Sequence, residues 1–470
     1  MLNSILKEII NDKLMWVKYH KKKQPLFTFQ NKIVRSNYNF KNSLKSIHPS
    51  YILEIKKASP SLGIINNKLD LKKISLIYKK YASSISILTD EKYFHGNFEF
   101  IPIVRKIAHR QPILCKDFFI DPYQIYLARY YQADAILLML SILNDNQYVF
   151  LRNIAEMLNM DVLTEIENKK ELTRAINLKS KIIGINNRNL NNLSIDIQKT
   201  KVLAPLIPKK IIIISESGIQ NYNQIRQLKP FVQGFLIGSN LMRKKNLEEA
   251  VCKMILGNNK ICGLTQSSDV KIIKEYGIVY GGLIFCKFSP RYINCNNAYS
   301  IINNVSLKYI GVFCNENLKR VAYIGTKLSL HAVQLHGNED QIYINNLKLI
   351  LPKHIKIWKS IIYLDFLKNQ KHLFYNVNKY IIDNKDGGSG KTFNWKYLKN
   401  CKLDNVILAG GLDINNCILA TDLGCYGYDF NSKLESSPGI KDLKKIVALT
   451  YSLRRHTVFN YRNLICLGKK

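Results

Sequence analysis

The chain has 470 residues, 47% of them hydrophobic, and a formal net charge of +36. That length exceeds one typical domain and supplies enough apolar residues for two cores. No apolar run approaches the roughly 20 residues of a membrane-spanning helix, and the N-terminal segment MLNSILKEIINDKLMW carries acids and lacks a small-residue cleavage site, so the expectation is a soluble, cytoplasmic protein with no membrane partner.

Leu2, Ile5, Leu6, Ile9, Ile10 and Met15 recur with a helical period, which predicts an amphipathic helix over residues 2–14. After it, short β-type runs alternate with helical stretches. They fall at Tyr51–Ile55, Ser84–Leu88, Pro112–Cys115, Ala135–Leu138, Asp161–Thr164, Lys181–Ile185, Lys210–Ile214 and Gly234–Ile237. The second half repeats the pattern at Ile261–Leu264, Gly281–Phe285, Tyr309–Phe313, Ala332–Leu335, Ile355–Lys359, Lys379–Ile382, Asn405–Leu408 and Gly427–Phe430. Alternating strand and helix implies a parallel sheet, and eight such units make a (β/α)8 barrel. The predicted fold is therefore α/β, two tandem (β/α)8 TIM barrels, the first with an extra N-terminal helix. The helical run Leu247–Leu256 closes the first unit and GNNK turns into the next strand, so the predicted domains are 1–257 and 258–451, followed by a basic tail, 452–470.

The charge admits a nucleic-acid partner. The excess lysines, however, are spread along a chain also rich in Asn, Ile and Tyr, and only Lys21–Lys23 form a run. Compositional drift is the simpler explanation, and no nucleic-acid partner is expected. Ten cysteines are scattered singly with no CxxC pair, so neither a disulfide framework nor a metal site is expected, and most read as small buried apolar residues.

An internal echo links the halves. SESGIQN (215–221) and AGGLDIN (409–415) each follow a buried strand, and Gly218 and Gly411 each precede a serine, Ser239 or Ser432, by 21 residues. In barrels, the loops after strands seven and eight commonly bind phosphate through backbone N–H groups, and glycine lets the backbone approach the anion. Ordinary tight turns are the competing reading, which equal spacing at the end of both blocks disfavours.

Charged residues gather at predicted strand C-terminal ends, where barrel active sites lie. Glu54 and Lys56 share a face at the end of the first strand. Lys116 ends PILCK, Glu165 ends DVLTE, Asn186 and Arg188 follow IIGI, and Glu216 follows IIIIS. Three acids and two lysines would converge on one mouth, where each shifts the others' pKa as acid–base chemistry requires. A structural ring of ion pairs is the alternative. In the second half, KICGLT places Cys262 at the end of a strand, FSPR offers Arg291 to an anion, VQLHG ends with His336, and YIIDNKDGGSGKTF puts Asp383 ahead of a glycine-rich loop. GGSGKT is not a nucleotide P-loop, because that motif needs glycine where Lys385 stands. The loop is expected to fold over substrate and exclude water.

The segments ILEIKKASPS, LTDEKYFHG, PILCKDFFIDPYQI, VLTEIEN, IGINNRNL, ISESGI and GFLIGSNLM resemble the indole-3-glycerol-phosphate synthase family over nearly all of residues 1–256. The resemblance implies closure of an indole ring on a carboxyphenylamino-deoxyribulose phosphate, with loss of CO2 and water. It implies Lys116 as general acid at the ribulose carbonyl and Glu165 as acid/base for the dehydration, with Glu54 and Glu216 in support. Lys56 would meet the substrate carboxylate, Arg188 its anionic groups and Asn186 the sugar hydroxyls, while Ser59, Ser217, Gly218, Gly238 and Ser239 would hold the phosphate.

KICGLT, FSPR, VQLHG and YIIDNKDGGSGKTF resemble the phosphoribosylanthranilate isomerase family over about residues 258–450. That resemblance implies an Amadori rearrangement, with Cys262 as the base taking the sugar C2 proton and Asp383 as the acid on the ring oxygen. Arg291 would meet the anthranilate carboxylate, His336 would line the substrate site, and Gly410, Gly411, Asn431 and Ser432 would bind phosphate. The two reactions are consecutive in tryptophan synthesis, and neither needs a metal or cofactor. The implied partners are anionic, phosphorylated sugar–anthranilate substrates, and a fused pair of barrels is expected to be a monomer. A catalytically silent barrel-pair scaffold and a basic nucleic-acid binder are the alternatives. The tail beyond Tyr451 extends past the usual family end and receives no role.

Overall fold

Parallel strands covered on both faces by helices read as continuous apolar runs, and the runs predicted above are the strands of two closed barrels. The structure, a computed structural model, describes residues 4–46, 49–190, 192–368, 373–384 and 392–455. The glycine-rich stretch 385–391, expected to cover substrate, and the tail from residue 456 lie outside the described residues. The chain separates into two compact units, Met1–Val251 and Cys252–Lys470.

The first unit contains β1 (Ser50–Ile55), β2 (Ser84–Leu88), β3 (Ile113–Lys116), β4 (Ala135–Met139), β5 (Asp161–Ile166), β6 (Ile182–Asn186), β7 (Ile212–Glu216) and β8 (Gly234–Ile237). Each pairs in parallel with its neighbours, and β1 pairs with both β2 and β8, which closes the cylinder. Alternate residues point inward. Ile52, Leu114, Leu137, Leu163, Ile212 and Leu236 thus form one interior cluster, joined by Phe40 and Leu44 from the short helix Phe40–Ser46. Each such side chain contributes about 1.5–3 kcal/mol on burial.

The predicted N-terminal helix is longer than its apolar period suggested, spanning Ser4–Lys23. Its last turn, His20–Lys23, is wholly basic, which favours the negative end of the helix dipole and leaves no apolar signal to read. One lysine of this helix is buried. Lys13 Nζ lies 2.7 Å from Asp90 Oδ2 and 2.7 Å from Asp117 Oδ1. The helix is thereby clasped to the residue that follows Lys116 and to the loop after β2.

The second unit contains β9 (Asn258–Ile261), β10 (Tyr280–Ile284), β11 (Lys308–Phe313), β12 (Ala332–Leu335), β13 (Lys356–Ile362), β14 (Lys379–Asp383), β15 (Val406–Leu408) and β16 (Gly427–Phe430), again closed by pairing of the first and last strands. Here one expectation is corrected. GNNK is not the turn into β9, because Asn258–Lys260 already belong to the strand. The apolar run misplaced it because this strand buries two polar residues, Asn259 and Lys260, each held by a polar contact. Asn259 Nδ2 donates to Leu256 O at 2.7 Å, and Lys260 Nζ meets Asp429 at 2.6 Å. No helix of the described residues is long and apolar enough to cross a membrane.

Candidate active sites

In the first barrel, polar groups at the two ends of the cylinder are treated differently. Asp134, just before β4, is saturated. It accepts from Ser36 Oγ at 2.7 Å, Ile113 N at 2.8 Å and Arg129 Nη1 at 3.1 Å, and pairs with Arg105. At the C-terminal ends of the strands, Glu216 Oε1 and Ser59 Oγ are buried with no hydrogen-bond partner. Buried polar atoms are normally satisfied, and both residues border a space able to hold a polar partner. That space is a cavity of about 210 Å³ lined by Glu54, Lys56, Ser59, Lys116, Glu165, Asn186, Arg188, Glu216, Ser217, Gly218, Gly238 and Ser239. Every site residue named from the sequence of the first half therefore borders one cavity.

Within it, Lys56 Nζ lies 2.6 Å from Glu54 Oε1, and Lys116 Nζ lies 3.8 Å from Glu165 Oε2. Asn186 Nδ2 donates to Glu165 Oε1 at 3.1 Å, and Asn186 Oδ1 accepts from Arg188 N at 3.0 Å. Burial acts to lower the Lys116 pKa, but Glu165, Glu54 and Glu216 outweigh it, so the ammonium is held protonated. Burial acts to raise Glu54, and Lys56 and Lys116 overcome it, which keeps this carboxylate ionised. Glu216 goes the other way. Burial, reinforced by the neighbouring Glu165, pushes it well above the usual carboxylate range despite Lys116. The site thus holds Glu216 driven toward its neutral form and Glu54 kept ionised, the kind of separation that acid–base catalysis uses.

Two glycines make this packing possible. A β-carbon at Gly184 would overlap Glu216 Oε1, and one at Gly238 would overlap Glu54 Oε1. Gly184→Ala is expected to displace the Glu216 carboxyl, lowering synthase kcat at least tenfold. Overpacking would cost about 1–3 kcal/mol, which steady-state kinetics with a thermal melt separates from global unfolding.

The candidate phosphate cradle lies where the echo placed it. Ser217 and Gly218 follow β7 with φ of 66° and 82°, while Gly238 and Ser239 follow β8. Asn240 Nδ2 donates to Gln220 O at 2.7 Å, which ties the two loops together. Sequence reasoning missed several lining groups. Arg243 borders the cavity, and after burial its charge is the main influence lowering the Arg188 pKa, as expected of two guanidiniums sharing one anion site. Ile5, Leu6 and Ile9 of the N-terminal helix, with Phe94, Phe118 and Leu190, supply an apolar wall suited to an aromatic ring. Their helical period was visible in the sequence, but the cavity they face was not.

In the second barrel, Cys262 follows β9, and its N–H continues the ladder to Phe430 O at 2.8 Å. Asp383 ends β14 and accepts from Asn384 N at 2.7 Å. Burial, with the nearby Asp429 charge, raises Asp383 to about 6. Burial also raises the Cys262 thiol, opposed chiefly by Lys260. The Lys260 charge acts on both groups, so one buried ammonium couples the expected base to the expected acid.

Around this pair, Gly263 has φ of 71°, and a β-carbon there would meet Arg291 Cδ at 2.6 Å and Asn431 Oδ1 at 2.7 Å. Arg291 and Asn431 are therefore packed beside Cys262. The Arg291 guanidinium is engaged by Glu435 in a two-oxygen clamp, with Nε 3.0 Å from Oε1 and Nη2 2.8 Å from Oε2. Glu435 also accepts from Lys441 Nζ at 2.7 Å, and Lys441 reaches Asn431 Oδ1 at 3.1 Å. His336 Nδ1 lies 3.1 Å from Gln334 Nε2, and burial, then Lys260 and Lys359, lower its pKa to about 4, leaving a neutral ring. Gly410 and Gly411 follow β15 with φ of 84° and 62°, and Asn431 and Ser432 follow β16 next to it. Lys260, Asp429, Glu435 and Lys441 were not singled out from the sequence; Lys260 and Asp429 are 169 residues apart, and Glu435 lies 144 residues from Arg291.

Comparison with known proteins agrees with both halves. The family model described as indole-3-glycerol phosphate synthase matches residues 6–254, and that of N-(5'-phosphoribosyl)anthranilate isomerase matches residues 259–451. The tryptophan biosynthesis protein TrpCF of Buchnera aphidicola subsp. Schlechtendalia chinensis is 61% identical, covering 97% of this chain and 99% of the relative. That of Salmonella typhi is 50% identical over 97% of this chain and all of its own length (100%). The crystal structure of phosphoribosyl anthranilate isomerase from Thermus thermophilus aligns with 25% identity and a TM-score of 0.37, covering 42% of this chain and 98% of its own. The substrates of both families are phosphorylated, as the paired glycine–serine loops suggested. The chain belongs to the bifunctional tryptophan-biosynthesis family in which an indole-3-glycerol phosphate synthase is followed by an N-(5'-phosphoribosyl)anthranilate isomerase.

Proposed function

We propose that the named residues divide the two reactions as follows. In the isomerase half, residues 258–451, Asp383 gives a proton to the ribose ring oxygen as the ring opens, and Cys262 removes the proton from C2. In the synthase half, residues 1–257, Lys116 protonates the ribulose carbonyl as the ring carbon attacks it. Glu165, steered by Asn186, serves the proton transfers of the dehydration. Lys56 and Arg188 meet the substrate's anionic groups, with Glu54 and Glu216 setting the field around Lys116. Arg291 meets the anthranilate carboxylate in the second site, beside His336. The phosphate groups are held by Ser59, Ser217, Gly218, Gly238 and Ser239 in the first barrel and by Gly410, Gly411, Asn431 and Ser432 in the second. After the ring carbon has attacked, the carboxylate leaves as CO2 and its bonding pair returns to the ring, neutralising the iminium; the remaining steps are proton transfers next to a bound anion, which these side chains supply without a cofactor, each acid or base contributing about 10²–10⁴-fold.

The single observation that carries this reading is the convergence of Glu54, Lys56, Lys116, Glu165 and Glu216 from separate strand ends onto one cavity. We further propose that the chain acts in the cytoplasm as a monomer, without nucleic-acid or membrane partners. A coupled assay tests the whole reading. Purified chain alone, supplied with phosphoribosylanthranilate, is expected to form indoleglycerol phosphate. Accumulation of the aminoketose phosphate without indole closure, or no turnover at all, would overturn the corresponding half.

A further inference from the structure

The second barrel carries a buried ion pair for which neither reaction has yet supplied a use. Lys260 is fully buried on β9, two residues before Cys262 and therefore on the same inward face. Its Nζ lies 2.6 Å from Asp429 Oδ2, on the residue that is its register partner across β9 and β16. Burying two charges carries a desolvation cost that a hydrophobic pair of equal volume avoids. Packing alone gives this barrel layer no reason to be ionic.

The surroundings aim the pair at Cys262. Gly282 on β10 lacks a side chain, and a β-carbon there would lie 2.6 Å from Cys262 Sγ and 3.0 Å from Lys260 Cε. The thiol and the end of the lysine chain thus share one small space. The ammonium donates to Asp429, and its charge acts on the neighbouring thiol against the burial that raises it. Asp429 Oδ1 is buried with no hydrogen-bond partner, so this carboxylate holds Lys260 through a single oxygen. The other charged or titratable groups facing Cys262 are Lys441, anchored by Glu435 and Asn431, and Cys286, with Arg291 packed beyond Gly263.

We infer that Lys260, held in place by Asp429, is a positioning residue of the isomerase half whose ammonium stabilises and orients the Cys262 thiolate. The inference rests on the reading of Cys262 as the base. When the C2–H bond breaks, its electron pair forms the C1–C2 double bond, the C1=N pair of the ring-opened iminium moves onto the anilino nitrogen, and the proton resides on sulfur. Lys260 loses its anionic neighbour at that moment, and Asp429 keeps it protonated for the next turnover.

The test is the pH dependence of Cys262 alkylation by iodoacetamide in the full chain, followed on the Cys262 peptide by mass spectrometry. Lys260→Met is expected to move the alkylation midpoint up by more than one pH unit, so that the rate near neutrality falls at least tenfold. Isomerase kcat should fall by a similar factor. Lys260→Met/Asp429→Leu removes the opposing carboxylate as well and leaves no orphan charge, so it folds where the single variant does not. Its midpoint is expected to rise by a smaller amount, because Lys260 outweighs Asp429 at the thiol. A midpoint that is unchanged or lower in either folded variant overturns the inference. Isomerase activity surviving in Cys262→Ala would overturn the base reading instead, and leaves the alkylation result standing.

Discussion

Lys116→Ala is expected to abolish indole-ring closure while isomerisation of phosphoribosylanthranilate proceeds at its normal rate. Lys116 sits among Glu165, Glu54 and Glu216, which hold it protonated despite burial. Removing it deletes the proposed proton donor at the carbonyl. A general acid is worth about 10²–10⁴-fold, or roughly 3–5 kcal/mol at ~1.36 kcal/mol per tenfold. The loss should fall on kcat more than on KM, because the proposed binding groups, Lys56, Arg188 and the glycine–serine loops, are left in place. The substitution also leaves three buried carboxylates with one cation fewer. The first barrel should therefore melt at a lower temperature, and circular dichroism must show that the variant is folded at the assay temperature. Loss of both activities in a folded Lys116→Ala protein would overturn the assignment of separate sites.

Cys262→Ala is expected to do the reverse, removing isomerase turnover and leaving ring closure on supplied aminoketose phosphate nearly unchanged. The thiol is small and buried, and its neighbours Ile284 and Val312 close around it. The packing cost of the substitution is therefore modest, and the kinetic effect reports the missing base. Two neighbours are ill suited to replace it: Lys260 is protonated and paired with Asp429, and His336 is turned toward Gln334. The drop in kcat is expected to reach about 10²–10⁴-fold, measured by anthranilate fluorescence in a single-enzyme assay. Retention of more than a tenth of the activity would reassign the base.

The sixteen barrel strands were readable along the chain for a local reason. A strand buried on both faces must be apolar for its whole length, so Ile211–Ile214 or Ala135–Leu138 announces itself without reference to any other segment. The one misplaced strand shows the limit. In β9 the inward residue Lys260 is tolerated because Asp429, 169 positions later, neutralises it. Periodicity samples only near neighbours and cannot register such a partner. The same separation hid the Arg291–Glu435 clamp, 144 residues apart, and the clasp of Lys13 onto Asp90 and Asp117.

What the residue order settled was the repeat of strand and helix, the glycine–serine spacing of the loops after the last two strands of each barrel, and which ionisable side chains stand at strand ends. These follow from backbone geometry, since consecutive strand ends of a closed parallel barrel all emerge at one rim. The order did not settle which of those charges are proton donors. Glu54 and Glu216 both stand near the C-terminal ends of their strands, β1 and β7, yet one is held ionised by Lys56 and the other is driven toward its neutral form beside Glu165. That distinction arises from distances across the rim and from exclusion of water, quantities that exist only once the cylinder has closed.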